Sequence, residues 1–345
     1  MELGRIIIDI EGCELTKEDI DLLKHPYIGG VILFTRNFNS IDQIRDLIED
    51  IKSLRSPSLV IYVDQEGGRV QRFKKGMSLL PSIELLGKKY ELDPDESILL
   101  SKELGWLIGY ELVSIGIDVN TSPVLDINFK RSNIMEGRCF SEKPNVVSLL
   151  SEQFIKGAKE SGISSICKHY PGHGFAKTDS HIELPVDSRD IKTIFQNDIV
   201  PYKKAIELDI DGIMTSHVQY KNIDNLPPTL SRKWIKILRN ELRYNGIIYS
   251  DDLSMHALNE FGEIPNNVLK SLEAGCDSIF ICNNRNKVIN IIDELVIKSD
   301  TKVSNKLIKL SKRKIEYNFQ KNKRRLAIID SIKRISEKKQ IEINI

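Results

Sequence analysis

Short apolar runs alternate with longer amphipathic stretches through most of the chain. Eight runs read as strands: Arg5 to Ile10, Gly30 to Phe34, Leu59 to Val63, Asp118 to Pro123, Ser164 to Lys168, Gly212 to Ser216, Gly246 to Ser250 and Ser278 to Cys282. Between them lie helical patterns at Ile41 to Leu54, Ile98 to Ile115, Val146 to Glu160, Ile194 to Leu208, Ser231 to Tyr244 and Asn266 to Ala274. Such alternation predicts a parallel sheet, and eight repeats favour closure into a (β/α)8 TIM barrel, class α/β, over an open doubly wound sheet. The open sheet stays as the alternative, because periodicity does not show closure. The connection between the third and fourth strands, residues 64 to 117, is long and is predicted to hold an extra turn or small helices around Leu79 to Lys89.

No Ser/Gly linker, repeat or low-complexity segment interrupts residues 1 to 300, so one barrel domain is expected there, followed by a helical extension over 301 to 345 packed on it or trailing it. Charge sharpens that division. The formal net charge is only +1, yet residues 301 to 345 hold 14 Lys+Arg against 4 Asp+Glu. Val303, Leu307, Leu310 and Ile315 recur there at roughly helical spacing, and aromatic residues are sparse. This favours the solvated face of amphipathic helices over a nucleic-acid surface. No nucleic-acid partner and no membrane partner are expected.

At 345 residues, with 41% hydrophobic and 29% charged residues, the composition is that of a soluble globular protein with a substantial core. The first residues lack a basic stretch followed by a long apolar core, and no apolar run approaches membrane-spanning length. A cytoplasmic protein is the expectation. Five scattered cysteines without a Cys-x-x-Cys pair predict reduced thiols.

In a barrel of this kind, reactive side chains belong just after the strands. The polar residues follow that rule: Asp64 to Arg72 after the third strand, Asp126 and then Glu136 to Phe140 after the fourth, His217 after the sixth, Asp251 and Asp252 after the seventh, Asn283 and Asn284 after the eighth. Asp251 taken alone reads equally well as a helix cap, and Gly67-Gly68 as a turn. The convergence of acids, arginines, a lysine and histidines on one rim points to a shared site.

The densest cluster follows the fifth strand, where residues 168 to 185 contain three of the six histidines, His169, His173 and His181. Pro171, Gly172 and Gly174 end the sheet by Tyr170 and start a loop. Asp179, two residues before His181, can set a carboxylate against an imidazole and make a proton-transfer device. Three imidazoles and a carboxylate also suit zinc, although no helical His-x-x-x-His pair is present.

Six motifs in order carry a resemblance: Gly29 to Asn37, Val63 to Phe73, Lys168 to Gly174, Asp179-Ser-His181, Ser250 to Met255 and Ala274 to Asp277. Together they resemble the family 3 glycoside hydrolases, and within them the bacterial β-N-acetylglucosaminidase branch that acts in peptidoglycan recycling. The resemblance implies retaining hydrolysis of terminal β-linked N-acetylglucosamine from cell-wall fragments, including 1,6-anhydro-muropeptides. Asp251 would be the nucleophile and His181, with Asp179 as its dyad partner, the acid and base.

Asp64, Arg72, Arg138, Lys168 and His169 would bind the sugar. The resemblance implies no metal and no cofactor, a small-molecule substrate and a monomer. Motif position alone selects Asp251 over Asp252. His256 and Ala257 depart from the Glu-Gly pair common in this branch. A β-glucosidase of the same family, a phosphorylase, a metal-dependent barrel hydrolase and a catalytically silent muropeptide binder are the alternatives.

Overall fold

The structure, a computed structural model, describes residues 2–180, 182–311 and 318–343, with side chains through Ile335 on the last helix. Eight parallel strands close on themselves: β1 (Ile6–Ile8), β2 (Ile28–Leu33), β3 (Val60–Val63), β4 (Val119–Asn120), β5 (Ser164–Tyr170), β6 (Gly212–Thr215), β7 (Ile247–Asp252) and β8 (Ser278–Ile281). Closure is made where β8 pairs back onto β1, in the register Ile6 to Ile279, Ile7 to Phe280 and Ile8 to Ile281. The barrel, not the open sheet, is the fold.

Large rings fill the interior. Tyr62 meets Phe280 edge-on at 5.5 Å and lies 6.0 Å from Tyr249. Glycines on neighbouring strands make this packing fit, because a Cβ at Gly30 would sit 2.5 Å from the Tyr62 ring and one at Gly212 2.6 Å from that of Tyr249. The glycines in β2 and β6 therefore make room for the neighbouring rings.

Several predicted boundaries move. The fourth strand shrinks to Val119–Asn120, since Pro123 has no N–H for the ladder, and one bridge between Val124 and Lys168 resumes the pairing. β5 and β7 run two residues further than expected, to Tyr170 and Asp252. The predicted helix Ile194 to Leu208 is two helices, Ile191–Gln196 and Ile199–Glu207. Pro201 in the first turn of the second cannot donate to residue 197 and clashes with its carbonyl, so a continuous helix is excluded.

The predicted helix Ser231 to Tyr244 is an α-helical turn, Arg232–Lys236, running into a wider π-type turn, Ile237–Glu241. There the Arg239 guanidinium gathers the carbonyls of Tyr244 and Gly246 at 2.9 and 2.7 Å and draws the chain toward β7. The region around Leu79 to Lys89 does hold a short helix, Glu84–Tyr90, ahead of the long helix Pro94–Ser114.

Helix Thr301–Leu310 crosses the N-terminal end of the barrel: Ser304 Oγ accepts the Leu3 N–H at 2.9 Å, and Lys306 donates to the carbonyl of Asn245 at 2.6 Å. Val303, Leu307 and Leu310 are buried in the same core as the strands, whereas Ile315 lies outside the described residues. Helix Lys323–Ile343 is tied down by Arg325, whose Nε meets Glu111 at 2.6 Å. Among the described residues no helix is long and apolar enough to cross a membrane, and all five cysteines are unpaired.

Candidate active site

The C-terminal ends of the strands surround a pocket of about 280 Å³. Of the residues singled out from the sequence, Asp64, Arg72, Arg138, Lys168, His169, Asp179 and Asp251 all line it. His181 lies outside the described residues.

The pocket floor is an ion network built on the segment after β3. Gly67 and Gly68 both have positive φ, +110° and +56°, which lets the chain reverse between Gln65–Gly67 and Val70–Gln71. Arg72 is thereby returned to Asp64, with Nη2 3.0 Å from Oδ2. The end of β5 brings Lys168 between two carboxylates, 2.9 Å from Asp64 and 2.7 Å from Glu66. Arg138, on the long connection after β4, grips Glu66 through two contacts of 2.8 Å.

Burial would push these carboxyls up. For Asp64 the charges of Lys168 and Arg72, with the Thr121 hydroxyl, outweigh it and hold the group far below the usual range. For Glu66, Lys168 and Arg138 outweigh burial and bring it to about 2. Both stay ionised, and Lys168 stays charged because the same two carboxylates overcome its own desolvation.

The end of β7 supplies Asp251 and Asp252, and their surroundings separate them. Burial opposes ionisation of Asp251, but nearby His169 and His217 and the N–H of Asp252, 2.8 Å from Oδ1, hold it below the ordinary carboxylate range. Asp252 is pushed up to about 7 by burial and by its neighbour's charge. Its Oδ1 accepts from Ser254 N at 3.0 Å and Cys282 N at 3.0 Å, and its Oδ2 lies 2.8 Å from Ser254 Oγ. Of the two adjacent carboxyls, Asp251 is thus the more readily ionised, and it stands beside the charged floor of Asp64, Glu66, Lys168 and Arg138.

Behind the floor sits Asp126. Its Oδ2 is 2.7 Å from Nδ1 of His169 and its Oδ1 accepts the N–H of His173 at 2.6 Å. Burial lowers His173 to about 4, so that ring is neutral. His217 does not line the pocket. It is a buttress, bonded to Thr229 at 3.0 Å and to the carbonyl of Asp252 at 2.9 Å. Asn284 caps the helix Arg285–Glu294. Position after a strand pointed to all of these residues, but nothing in the spacing distinguished floor, support and cap.

The loop carrying Asp179 is anchored at both ends. Phe175 lies under two guanidinium groups, Arg131 at 4.0 Å and Arg189 at 4.2 Å. Gly174 runs against the chain after β4, where a Cβ would lie 1.8 Å from the carbonyl oxygen of Ile127. The Asp179 carbonyl accepts from Ile182 and Glu183 at 2.9 and 3.0 Å, and that of Ser180 accepts from Ala257 at 3.0 Å. The departure at His256-Ala257 thus falls where the loop after β5 is bonded to the loop after β7.

Among the described residues no group of three His, Cys, Asp or Glu side chains is placed to hold a metal ion. What the arrangement offers is a nucleophilic carboxylate and directed, charge-assisted partners for a polyhydroxylated ring.

Comparison with known proteins identifies the family. The pattern of the glycosyl hydrolase family 3 N-terminal domain matches residues 3–316. A beta-hexosaminidase of Hydrogenovibrio crunogenus is 41% identical over 285 residues, covering 82% of this chain and 80% of its own. One from Alkalilimnicola ehrlichii is 39% identical and covers 97% and 96%. Among solved structures, NagZ from Neisseria gonorrhoeae in complex with N-trifluoroacetyl-D-glucosamine is similar with a TM-score of 0.91 and 32% identity, covering 97% of this chain and 98% of its own.

Proposed function

The chain belongs to glycosyl hydrolase family 3 and is a β-N-acetylhexosaminidase, and we propose that it works by a retaining mechanism on peptidoglycan fragments, with Asp251 as nucleophile. The observation that carries this is the separation of the two adjacent carboxylates at the end of β7. Asp251 is ionised in the pocket, while Asp252 is turned into hydrogen bonds with Ser254 and Cys282.

A terminal N-acetylglucosamine enters with its hydroxyls toward Asp64, Arg72, Arg138, Lys168 and His169; Asp64 already holds Arg72 and Lys168, Glu66 holds Arg138 and Asp126 holds His169. Little reorganisation is needed when the sugar binds. Asp251 attacks the anomeric carbon as the leaving oxygen takes a proton, and water then hydrolyses the glycosyl ester. Motif position assigns that proton transfer to His181, with Asp179, at the pocket edge, as its partner. An acid in one step and a base in the next suits an imidazole, which titrates near neutral pH. The substrate is a muropeptide carrying a terminal β-linked N-acetylglucosamine, including the 1,6-anhydro forms, and the enzyme acts as a cytoplasmic monomer without metal or cofactor.

The test is release of sugar from 4-nitrophenyl β-N-acetylglucosaminide and from an anhydro-muropeptide, with and without chelator and phosphate. Free N-acetylglucosamine from both, insensitive to chelator, is the expected result. A sugar 1-phosphate formed only with phosphate would recast the enzyme as a phosphorylase, and hydrolysis of the aryl substrate alone would remove the peptidoglycan assignment.

A further inference from the structure

Asp126 has no part in the reaction described so far, yet its carboxylate is almost completely buried and each oxygen has a defined partner. Oδ2 lies 2.7 Å from Nδ1 of His169, and Oδ1 accepts the N–H of His173 at 2.6 Å. The residue sits just beyond β4, where Leu125 N–H bonds the Lys168 carbonyl at 2.7 Å, so its backbone is locked to β5 at the residue before His169.

Burial alone would favour the protonated acid, but His169 and His173 overcome it and the group is held below the usual carboxylate range. An ionised carboxylate only accepts hydrogen bonds, so Nδ1 of His169 must carry the hydrogen. The ring lines the pocket while Asp126 does not, and with Nδ1 committed to Asp126 the nitrogen left for a ligand is Nε2. Which ring nitrogen faces a ligand, and in what state, is set by the bond made at the other.

We propose that Asp126 is a positioning residue that acts through His169, locking the imidazole with Nδ1–H turned inward and Nε2 presented to a hydroxyl of the bound sugar. The proposal rests on reading the pocket as a sugar site. It assigns specificity to a residue that never meets substrate: without the carboxylate, the ring can rotate or exchange its tautomer, and the hydroxyl meets the wrong partner. In Asp126→Asn one amide oxygen has to serve both His169 and His173, and the amide NH2 repels whichever N–H it faces.

Two measurements test this. Long-range proton–nitrogen spectra of the 15N-labelled wild-type enzyme, with His169 assigned from His169→Ala, should show a protonated Nδ1. A bare Nδ1 in the wild type would overturn the proposal whether or not the protein is active.

The second is a double-mutant cycle on kcat/KM for 4-nitrophenyl β-N-acetylglucosaminide. Asp126→Asn should lose about 10- to 100-fold, the loss expected for one charge-assisted hydrogen bond. In the His169→Ala background the same exchange should change the value less than about twofold, because the partner is gone. Equal losses in both backgrounds would show that Asp126 merely braces the loop at His173, and would overturn the positioning role. Asp251→Ala separates the two readings: its full activity would sink the proposed mechanism while the His169 spectrum still decides the role of Asp126.

Discussion

Asp251 and Asp252 are neighbours at the end of one strand, yet the Asp252 N–H donates to Asp251 at 2.8 Å while the Asp252 carboxyl rises to about 7. The first is stabilised as an anion partly by the backbone of the second. The second is left in a position where a neutral group fits better. Ser254 Oγ is within bonding reach of both Asp252 Oδ2 and the Cys282 carbonyl, each at 2.8 Å, but it has a single hydrogen. A protonated Asp252 can donate to Ser254, and the hydroxyl can then donate to Cys282.

Replacing Asp251 gives the sharpest test of the proposed mechanism. Asp251→Ala should lower kcat by about 10⁴-fold or more. N-acetylglucosamine binding should survive, because the network of Asp64, Glu66, Lys168 and Arg138 does not depend on Asp251. Nitrophenolate release and calorimetric titration of the sugar read the two quantities separately.

Asp252→Asn should change the pH dependence of stability. A carboxyl raised on folding contributes stability that is complete below its unfolded value and is lost as pH rises through its folded value, here about 7. The wild type should therefore weaken between acidic and mildly alkaline pH, and the variant, with an amide able to donate to Ser254, should not. Thermal melts at about pH 4 and about pH 8, roughly the two ends of that window, should show the variant gaining on the wild type at the higher pH. An identical pH trend in both proteins would remove Asp252 as the cause.

Glu66→Gln leaves Arg138 and Lys168 short of a carboxylate in a buried place. Breaking a buried ion pair from one side costs about 3–5 kcal/mol, so a large drop in the urea midpoint is expected. Sugar affinity should fall with it, because Arg138 keeps at most one of its two contacts with residue 66 and loses the charge opposite it. Normal affinity would mean that Glu66 only supports the fold.

The contact between the last helix and the barrel makes a contrasting prediction. Arg325 and Glu111 have side chains only 8% and 2% exposed, so Arg325→Met strands a buried carboxylate. Stability should fall by about 3–5 kcal/mol. Values of kcat/KM should stay within about twofold, since the pair lies away from the pocket and distant sites act independently. Unfolding curves and initial rates together check both halves.

The sequence by itself determined the number and order of the strands, because a buried parallel strand needs a short apolar run and leaves its polar residues at the next turn. It also placed Asp64, Lys168, His169 and Asp251 on one rim, since all four directly follow or end such runs. The ends of elements were less legible: Pro201 divides a helix through a local clash, and β7 continues into Asp252 because Phe280 on the neighbouring strand and Cys282 just after it supply its partners.

Tertiary structure alone decided closure, which depends on β8 meeting β1 across almost the whole chain. It also decided which of two adjacent aspartates ionises more readily, and that Glu66 and Asp126, which position after a strand brought to the rim without a role, hold Arg138 and His169 in place. Those outcomes depend on burial and on charges brought together from distant segments. A linear pattern records which groups reach the rim, but their protonation and orientation are set by neighbours that only the folded chain supplies.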